Sequence, residues 1–464
     1  MKPYPADMME KLVSLCKRRG FIYQGSEIYG GLAGTYDYGP LGTALKKNIE
    51  NLWWRMFVDG RDDMYGMDAA ILMNGRVWET TGHVAGFSDP LVECTKCKKR
   101  FRADHLEDKT KCPACGGTLG AERTFNMMLS TRVGAMEDSS AISYLRPETA
   151  QGMFVNFKNV VDSFHPKIPF GMGQIGKAFR NEITPRDFIF RLRELEQMEI
   201  EYFVKESDWE RAFEEWRLAV NAWIDAVGID RARVHEVEIL DRAHYSKRTI
   251  DFEFDYPFGQ KELYGLAYRT DFDLSRHADA SKVDLSYHDE EAGEKFIPHV
   301  IEPSFGLDRT MLAVLLSAYI EDTMGAKEES EPRVFLKFHP RVAPVKAAVS
   351  PLLKNKPELV AKAREVYTML KKEVPQIMWD DNGNIGKRYR RQDEIGTPFC
   401  VVIDFDTLGD LPATAPSLNK EAVGRWQAGT PELKDTVTVR DRDSGEQKRM
   451  PIADLTKYIK DAIL

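Results

Sequence analysis

The 464-residue chain has no apolar run of about 18 residues and no charged leader followed by a short apolar segment. The reading is therefore a soluble, cytoplasmic protein with no membrane partner. Basic residues are in the minority: 65 Lys and Arg against 73 Asp and Glu leave a net charge of −8. A chain that coated nucleic acid without selectivity would be basic overall. Any RNA contact must then rest on a local face, for which KFHPRVAPVK (337–346) and GKRYRRQDE (386–394) are the candidates. Internal repeats and low-complexity tracts are absent, which excludes solenoid and disordered classes. Cysteine is scarce, and Cys16 and Cys400 sit among apolar neighbours, as small buried hydrophobes do.

The other four cysteines form a pattern. Cys94-x-x-Cys97 and Cys112-x-x-Cys115 are separated by 14 residues. In a cytosolic chain this spacing reads as a tetrahedral zinc site rather than as disulfides. Four thiolates would leave no open position for catalysis, so the expected Zn2+ is structural and gives a small insertion its fold. Gly116 and Gly117 fit the turn after the second pair. The chain is 43% hydrophobic and long enough for two or three domains with cores of their own.

GKAFRNEITPRDFIFRLRELEQMEIEYF, Gly176 to Phe203, carries the most information. Its ends alternate as strands do, and Thr184, Pro185, Arg186 and Asp187 supply turn chemistry between them. The hairpin bears Arg180, Glu182, Arg191, Glu194, Glu196, Glu199 and Glu201. Charges of both signs at this density suit a polyanion and a cation bound together. Arginine meets phosphate with a planar fork of donors, and a carboxylate accepts from an amine. A salt-bridged surface hairpin, or a carboxylate network with Arg180 and Arg193, is the plainer alternative from composition alone.

The order of residues resembles motif 2 of class II aminoacyl-tRNA synthetases. HVIEPSFGLDRTMLAVLLSAYI (299–320) resembles motif 3, with Arg309 near a helix start where a phosphate also feels the helix N-terminus. YDYGPLGTALKKNIENLWWRMFV resembles the motif 1 region, which implies a homodimer. IYGGLAGTYDYGPLG, RPETAQGMFVNF and VIEPSFGLDR are similar to the dimeric glycyl-tRNA synthetase family, over about Met8 to Leu455. The resemblance implies an α+β fold in which an antiparallel sheet is flanked by helices. It implies a class II catalytic domain over 1–328, interrupted by a zinc-ribbon-like insertion (90–123) and a helical insertion (205–250). A C-terminal α/β anticodon-binding domain would occupy 333–464, after the polar break Glu328 to Pro332.

The chemistry so implied is glycine attacking the α-phosphate of ATP, then transfer of glycine to the 3′ end of tRNA(Gly). Alignment and charge stabilisation suffice, so no nucleophile or base from the protein is expected. Arg180, Arg191 and Arg309 are the catalytic candidates, Arg180 at the α-phosphate and the other two at the outer phosphates. Asn181, Glu182, Phe190, Leu195, Glu262, Leu263 and Gly306 complete the ATP-binding set, with Glu182 accepting from the adenine amino group and Glu262 a ligand for Mg2+. Leu195 departs from the family's Phe and loses aromatic stacking on adenine, about 1 kcal/mol. For glycine, the resemblance implicates Arg102, Glu148, Glu196, Glu199, Glu302 and Ser304, the last crowding the α-carbon. Exclusion by size works for the smallest amino acid.

Elsewhere, Met8 to Gly20 reads as an amphipathic helix, then a Gly-rich loop runs to Gly42. A helix from Ser207 to Gly228 carries Trp209, Phe213, Trp216, Val220, Trp223 and Val227 at helical spacing, a core stripe. RVFLKF, FCVVIDF and TVTVRDR read as strands and Pro357 to Val374 as a helix. Two rival functions remain at this level. One is a class II paralogue that makes an aminoacyl-adenylate or a dinucleoside polyphosphate without charging tRNA. The other is a non-catalytic RNA-binding protein.

Overall fold

The computed structural model describes residues 3–135, 142–240, 246–322, 332–409 and 431–463. Of the break Glu328 to Pro332, only Pro332 lies within the described residues. The rest is an α+β fold built on a seven-stranded sheet. Its strands in chain order are β1 (Met64–Gly66), β2 (Phe170–Phe179), β3 (Glu194–Val204), β4 (Val234–Glu238), β5 (Arg248–Tyr256), β6 (Gly259–Thr270) and β7 (His299–Gly306). In space the order is β4-β5-β6-β7-β3-β2-β1. All neighbours are antiparallel except β1, which runs parallel to β2.

Alternation fixes what each face does. On β5, Ile250, Phe252, Phe254 and Tyr256 are buried while Thr249, Asp251 and Glu253 are not. The buried side meets the main core, where helices α1 (Met8–Arg19), α2 (Pro40–Trp54), α4 (Trp209–Val227) and α6 (Leu307–Ala318) contribute Leu45, Trp53, Trp216, Trp223 and Met311. A second core lies over the far end of the other face. There Phe154 and Phe157 of α3 (Ala150–Phe164) and Leu274 of α5 (Phe272–Ser281) pack on Phe170, Met172 and Phe203. The near end of that face is left open, and the cleft described below occupies it.

The expected helices at 8–20 and 207–228 form, ending on Gly20 and Gly228 in the left-handed region. The Trp209 to Val227 stripe is core: Trp216, Val220 and Trp223 are buried, and Trp209 stacks on Tyr268 at 4.3 Å. The Gly-rich stretch after Gly20 is more ordered than a loop, since Ile22–Gln24 pairs with Tyr36–Tyr38. Within 205–250 a strand appears as well as a helix, because β4 joins the sheet edge.

A separate five-stranded sheet (Ile377–Trp379, Ala347–Pro351, Phe399–Ile403, Thr436–Asp441, Gln447–Pro451) carries the C-terminal α/β unit. The helix Pro357–Glu373 and the helix Ile452–Ile463 cover it with Leu359, Val366, Leu455 and Ile459. The strand Arg333–Leu336 does not join that sheet; it pairs with Tyr319–Asp322. Its Arg333 is buried between Asp322 at 2.6 Å and Asp393 at 3.2 Å, so it ties the two regions together. Asn48 of α2 adds hydrogen bonds to the carbonyls of Val342 and Ala343. The basic run 386–394 is not one face: Lys387 and Arg390 point outward, Arg388 is buried on backbone carbonyls, and Arg391 pairs with Asp380. Lys346 is buried too, donating to the carbonyls of Pro340 and Arg341 at 2.8 and 2.6 Å.

Candidate active site

β2 and β3 pair over their whole length, from Glu194 opposite Phe179 to Phe203 opposite Phe170. The loop 180–193 therefore folds back over the sheet, and Arg180, Glu182 and Arg191 lie in it rather than on the strands. Asp187 and Phe188 turn the loop at φ 61° and 57°, a region costly for side chains of this size. Arg193 braces it from below, donating to the Glu182 carbonyl at 3.0 and 3.2 Å and to the Ala33 carbonyl at 3.0 Å. Arg193 is thus a strut and not a partner of the carboxylates.

Loop, sheet and the start of α6 enclose a cleft of about 470 Å3. At one end stand Arg180, Arg191 and Arg309, all lining it. Arg180 makes one hydrogen bond to the Pro147 carbonyl at 3.1 Å and rests over the Phe87 ring. Arg191 lies 4.0 Å from Glu182, a loose pair. Glu182 is buried, which raises its carboxyl pKa against the pull of Arg191 and Arg180, and its Oε2 meets no donor among the described residues. Arg309, in the first turn of α6, packs over the Phe190 ring at 4.6 Å and bridges to Glu262 at 2.9 Å. That guanidinium holds the Glu262 carboxyl below its usual range. Leu195, Leu263 and Gly306 line the same end. Asn181 does not: its backbone N–H donates to the Met127 carbonyl instead.

The other end is acidic and tightly bonded. Glu199, 3% exposed, accepts from the Thr149 N–H at 3.0 Å, the Thr149 hydroxyl, Gln197 at 2.8 Å and Ser304 at 2.8 Å. Glu302 accepts from Arg269 at 2.7 Å, and Arg269 also forks onto Asp273 at 2.8 and 2.9 Å. Glu148 accepts from Gln151 at 3.0 Å and lies 3.4 Å from His83. Burial alone would raise the Glu148 pKa, but His83 and Arg269 hold it well below the carboxylate range. For Glu302 burial wins over Arg269, and with Glu199 and Glu148 nearby its pKa is pushed up to about 8. Arg102 reaches the cleft from the cysteine-bearing insertion, paired with Asp89 at 2.8 Å and Asp104 at 2.7 Å.

Glu196 also lines the cleft, but its carboxylate is engaged elsewhere. Alternation turns its side chain to the opposite face from Glu199, where it pairs with Lys46 and, at 3.8 Å, Lys177. Its carboxylate thus borders the cleft while committed to two lysines.

In the insertion, Ser88–Glu93 pairs with Arg100–Arg102 and Arg123–Asn126, and the knuckles extend from this sheet. The four sulfurs of Cys94, Cys97, Cys112 and Cys115 lie within 4.8 Å of one another, the nearest pairs at 3.6 Å. A tetrahedron with Zn–S near 2.3 Å has sulfur–sulfur edges of about 3.8 Å. Lys98 and Gly116, each directly after a second cysteine, take matching left-handed conformations at φ 59° and 69°. A Cβ on Gly117 would stand 3.2 Å from Cys94 Sγ and 3.3 Å from Cys115 Sγ, so the fold needs glycine there.

Two protein families match the chain. The one described as tRNA synthetase class II core domain (G, H, P, S and T) spans residues 136–318, and the one described as anticodon binding domain spans 346–462. The glycine–tRNA ligase of Caldanaerobacter subterraneus subsp. tengcongensis is 47% identical over 98% of this chain and 98% of its own length. That of Clostridium acetobutylicum is 46% identical over 98% of each, and that of Thermobifida fusca 47% over 99% and 98%. The chain belongs to the glycine–tRNA ligase family.

Several site residues escaped the sequence reading. His83, Arg146, Thr149, Gln151, Arg269 and Asp273 all support the cleft. Arg146 and Thr149 flank Glu148 within RPETAQ, so proximity to a named residue was the available signal. Arg146 is buried and donates to the Lys177 and Ala69 carbonyls at 2.6 and 2.7 Å. Gly176 makes room for it, since a Cβ there would lie 2.2 Å from the Arg146 guanidinium. Arg269 and Asp273 are four apart at a strand-to-helix junction, a spacing that ordinary surface pairs share.

Proposed function

We propose that the protein activates glycine with ATP and transfers it to tRNA(Gly). One observation supports this most directly: a single cleft holds Arg180, Arg191 and Arg309 at one end and Glu148, Glu199 and Glu302 with Ser304 at the other. The arginines suit a triphosphate. Arg180, with few bonds inside the protein, stabilises the charge that grows on the α-phosphate as the glycine carboxylate attacks it. Arg191 and Arg309 hold the outer phosphates. Adenine packs on Leu195, and Glu182 accepts from its amino group.

Glu148, Glu199 and Glu302 receive the glycine ammonium, and Ser304, fixed by its bond to Glu199, leaves no room for a larger side chain. Arg102 contributes from the insertion. Asp251 lines the cleft beside Glu262, and burial with the charges of Glu262 and Glu253 pushes its pKa up to about 7. Oxygen donors so crowded suit Mg2+ accompanying ATP, which would supply further charge neutralisation at the phosphates. Cys94, Cys97, Cys112 and Cys115 would hold a structural Zn2+, and metal analysis of the purified protein tests that assignment.

Family membership supports an anticodon-binding unit over 333–464, a catalytic unit over 1–328 and a homodimer. Ile28 and Tyr29, 89% and 88% exposed just before α2, are apolar groups a second copy would cover. Light scattering in solution tests the dimer. No helix among the described residues is long and apolar enough to cross a membrane.

The deciding experiment is amino-acid-dependent ATP–pyrophosphate exchange with glycine, alanine and serine, followed by tRNA charging. Exchange with glycine alone is expected. Exchange with another amino acid would overturn the substrate, and exchange without charging would favour a paralogue that stops at the adenylate.

A further inference from the structure

Alternation along β3 brings Gln197, Glu199 and Glu201 to the cleft face of the sheet. The pairing with β7 sets Glu199 opposite Ser304 and Tyr202 opposite Ile301, which places Glu201 opposite Glu302. Side chains at facing positions of antiparallel strands have Cβ atoms about 5 Å apart. Both carboxyls are removed from water, Glu302 at 7% exposure and Glu201 at 0%. Their surroundings differ. Glu302 accepts from Arg269 and lines the cleft. Neither oxygen of Glu201 meets a hydrogen-bond donor among the described residues.

Two ionised carboxylates facing each other across a strand pair destabilise it, and a buried carboxylate without donors costs more still. The nearby cation, Arg269, already spans Asp273 and Glu302. The other charges near Glu201 are acidic, those of Glu199 and Asp273. Burial and the facing Glu302 together push the Glu201 carboxyl well above its usual range. Nothing in the adenylation chemistry uses Glu201, yet a carboxyl stands where an apolar residue would pack without penalty.

We propose that Glu201 is a positioning residue for the amino-group pocket: it stays a neutral carboxylic acid whose O–H donates to Glu302 across the strand pair and fixes that carboxylate for a substrate ammonium group. The inference rests on the amino-group reading of this end of the cleft. The proton stays on Glu201 throughout, so no bond is made or broken there. Arg269 and the Glu201 O–H constrain the Glu302 carboxylate from two donors, where Arg269 alone would let it rotate.

Two variants and a spectrum test this. Glu201→Gln keeps a neutral donor of the same shape, whereas Glu201→Leu keeps bulk without a donor. In ATP–pyrophosphate exchange, the Gln variant should hold its glycine KM within about twofold of the native value. The Leu variant should raise glycine KM about tenfold or more, the worth of a hydrogen bond to a charged group, with ATP KM unchanged. Infrared spectra of the 13C-glutamate-labelled protein at about pH 9, where Glu302 has lost its proton, should show a protonated-carboxyl C=O band that Glu201→Gln removes. A spectrum in which that band is missing, or a Leu variant with native glycine KM, overturns the proposal. Should the Leu variant fail to fold, a raised glycine KM in the Gln variant or the missing band overturns it equally. If the native protein shows no glycine-dependent exchange, the amino-group reading falls. The infrared band then still decides whether Glu201 carries its proton.

Discussion

The two ends of the cleft are built on opposite plans. At the arginine end two of the three side chains are long and lightly bound: Arg180 has one carbonyl at 3.1 Å, and Arg191 has one carboxylate at 4.0 Å. At the carboxylate end the groups are short, buried and crowded with donors, four of them on Glu199 alone. A polyanion that changes shape during reaction needs donors with reach and spare capacity. A two-carbon amino acid offers only an ammonium group and a lack of bulk, so its pocket must be rigid to discriminate. One end of the cleft works by reach and the other by rigidity.

The comparison breaks most sharply at Arg180. Replacing it with Ala should lower kcat for exchange by roughly 10²–10³-fold, the cost of losing one transition-state donor. Because its partners inside the protein are few, the melting temperature should hardly move. A large loss of stability with modest kinetic effect would mean that Arg180 is structural. Ser304 probes the rigid end. Ser304→Gly removes both the bulk at the α-carbon and the bond to Glu199 at 2.8 Å. Exchange with alanine, relative to glycine, should rise by about 10–200-fold, the range over which one methylene is discriminated. An unchanged ratio would place the size filter elsewhere.

Much of this cleft was legible because charge density and residue order on one hairpin are local properties of the chain. Arg180, Glu182, Arg191 and Glu199 lie within 20 residues of each other and meet in one site. The cysteine spacing was equally readable, since four ligands on two turns form a self-contained pattern. What stayed hidden depends on register. Glu196 and Glu199 look alike in sequence, but an odd offset along a strand sends their side chains to opposite faces. Arg269 and His83 come from segments far from the hairpin: the pairing of β6 with β7 carries Arg269 to Glu302, and the short helix His83–Gly86 carries His83 to Glu148. The strand Arg333–Leu336 read correctly as a strand, yet its partner was set by a buried Arg333 between two aspartates, which no local pattern records.

A pH series sharpens the contrast between the ends. Only an ionised Glu302 attracts an ammonium group, and its pKa is pushed up to about 8, by burial first. Arg269 opposes that shift, while Glu199, Glu148 and Asp273 reinforce it. Glycine KM should therefore fall about tenfold between pH 7 and pH 9, whereas the guanidinium end stays charged and ATP KM stays flat. The stability sign is the reverse. The folded state holds this proton more tightly than the unfolded chain, so its contribution is present at low pH and lost as pH rises through about 8. A flat glycine KM would mean that Glu302 is already ionised at neutrality.

The smallest effect is expected at Leu195, where the arginine end meets an apolar wall. Arg309 sits over Phe190 at 4.6 Å from the ring centroid and borders the cleft. A base between Arg309 and Leu195 would meet a cation on one side and an aliphatic group on the other. Leu195→Phe restores an aromatic surface, worth about 1 kcal/mol or roughly a fivefold lower ATP KM. Glycine KM should not change, because Gln197 and Glu199 lie further along the strand and their hydrogen bonds do not involve position 195. A shift in both constants would show that the ends are mechanically linked through β3, and that the separation drawn between them is too clean.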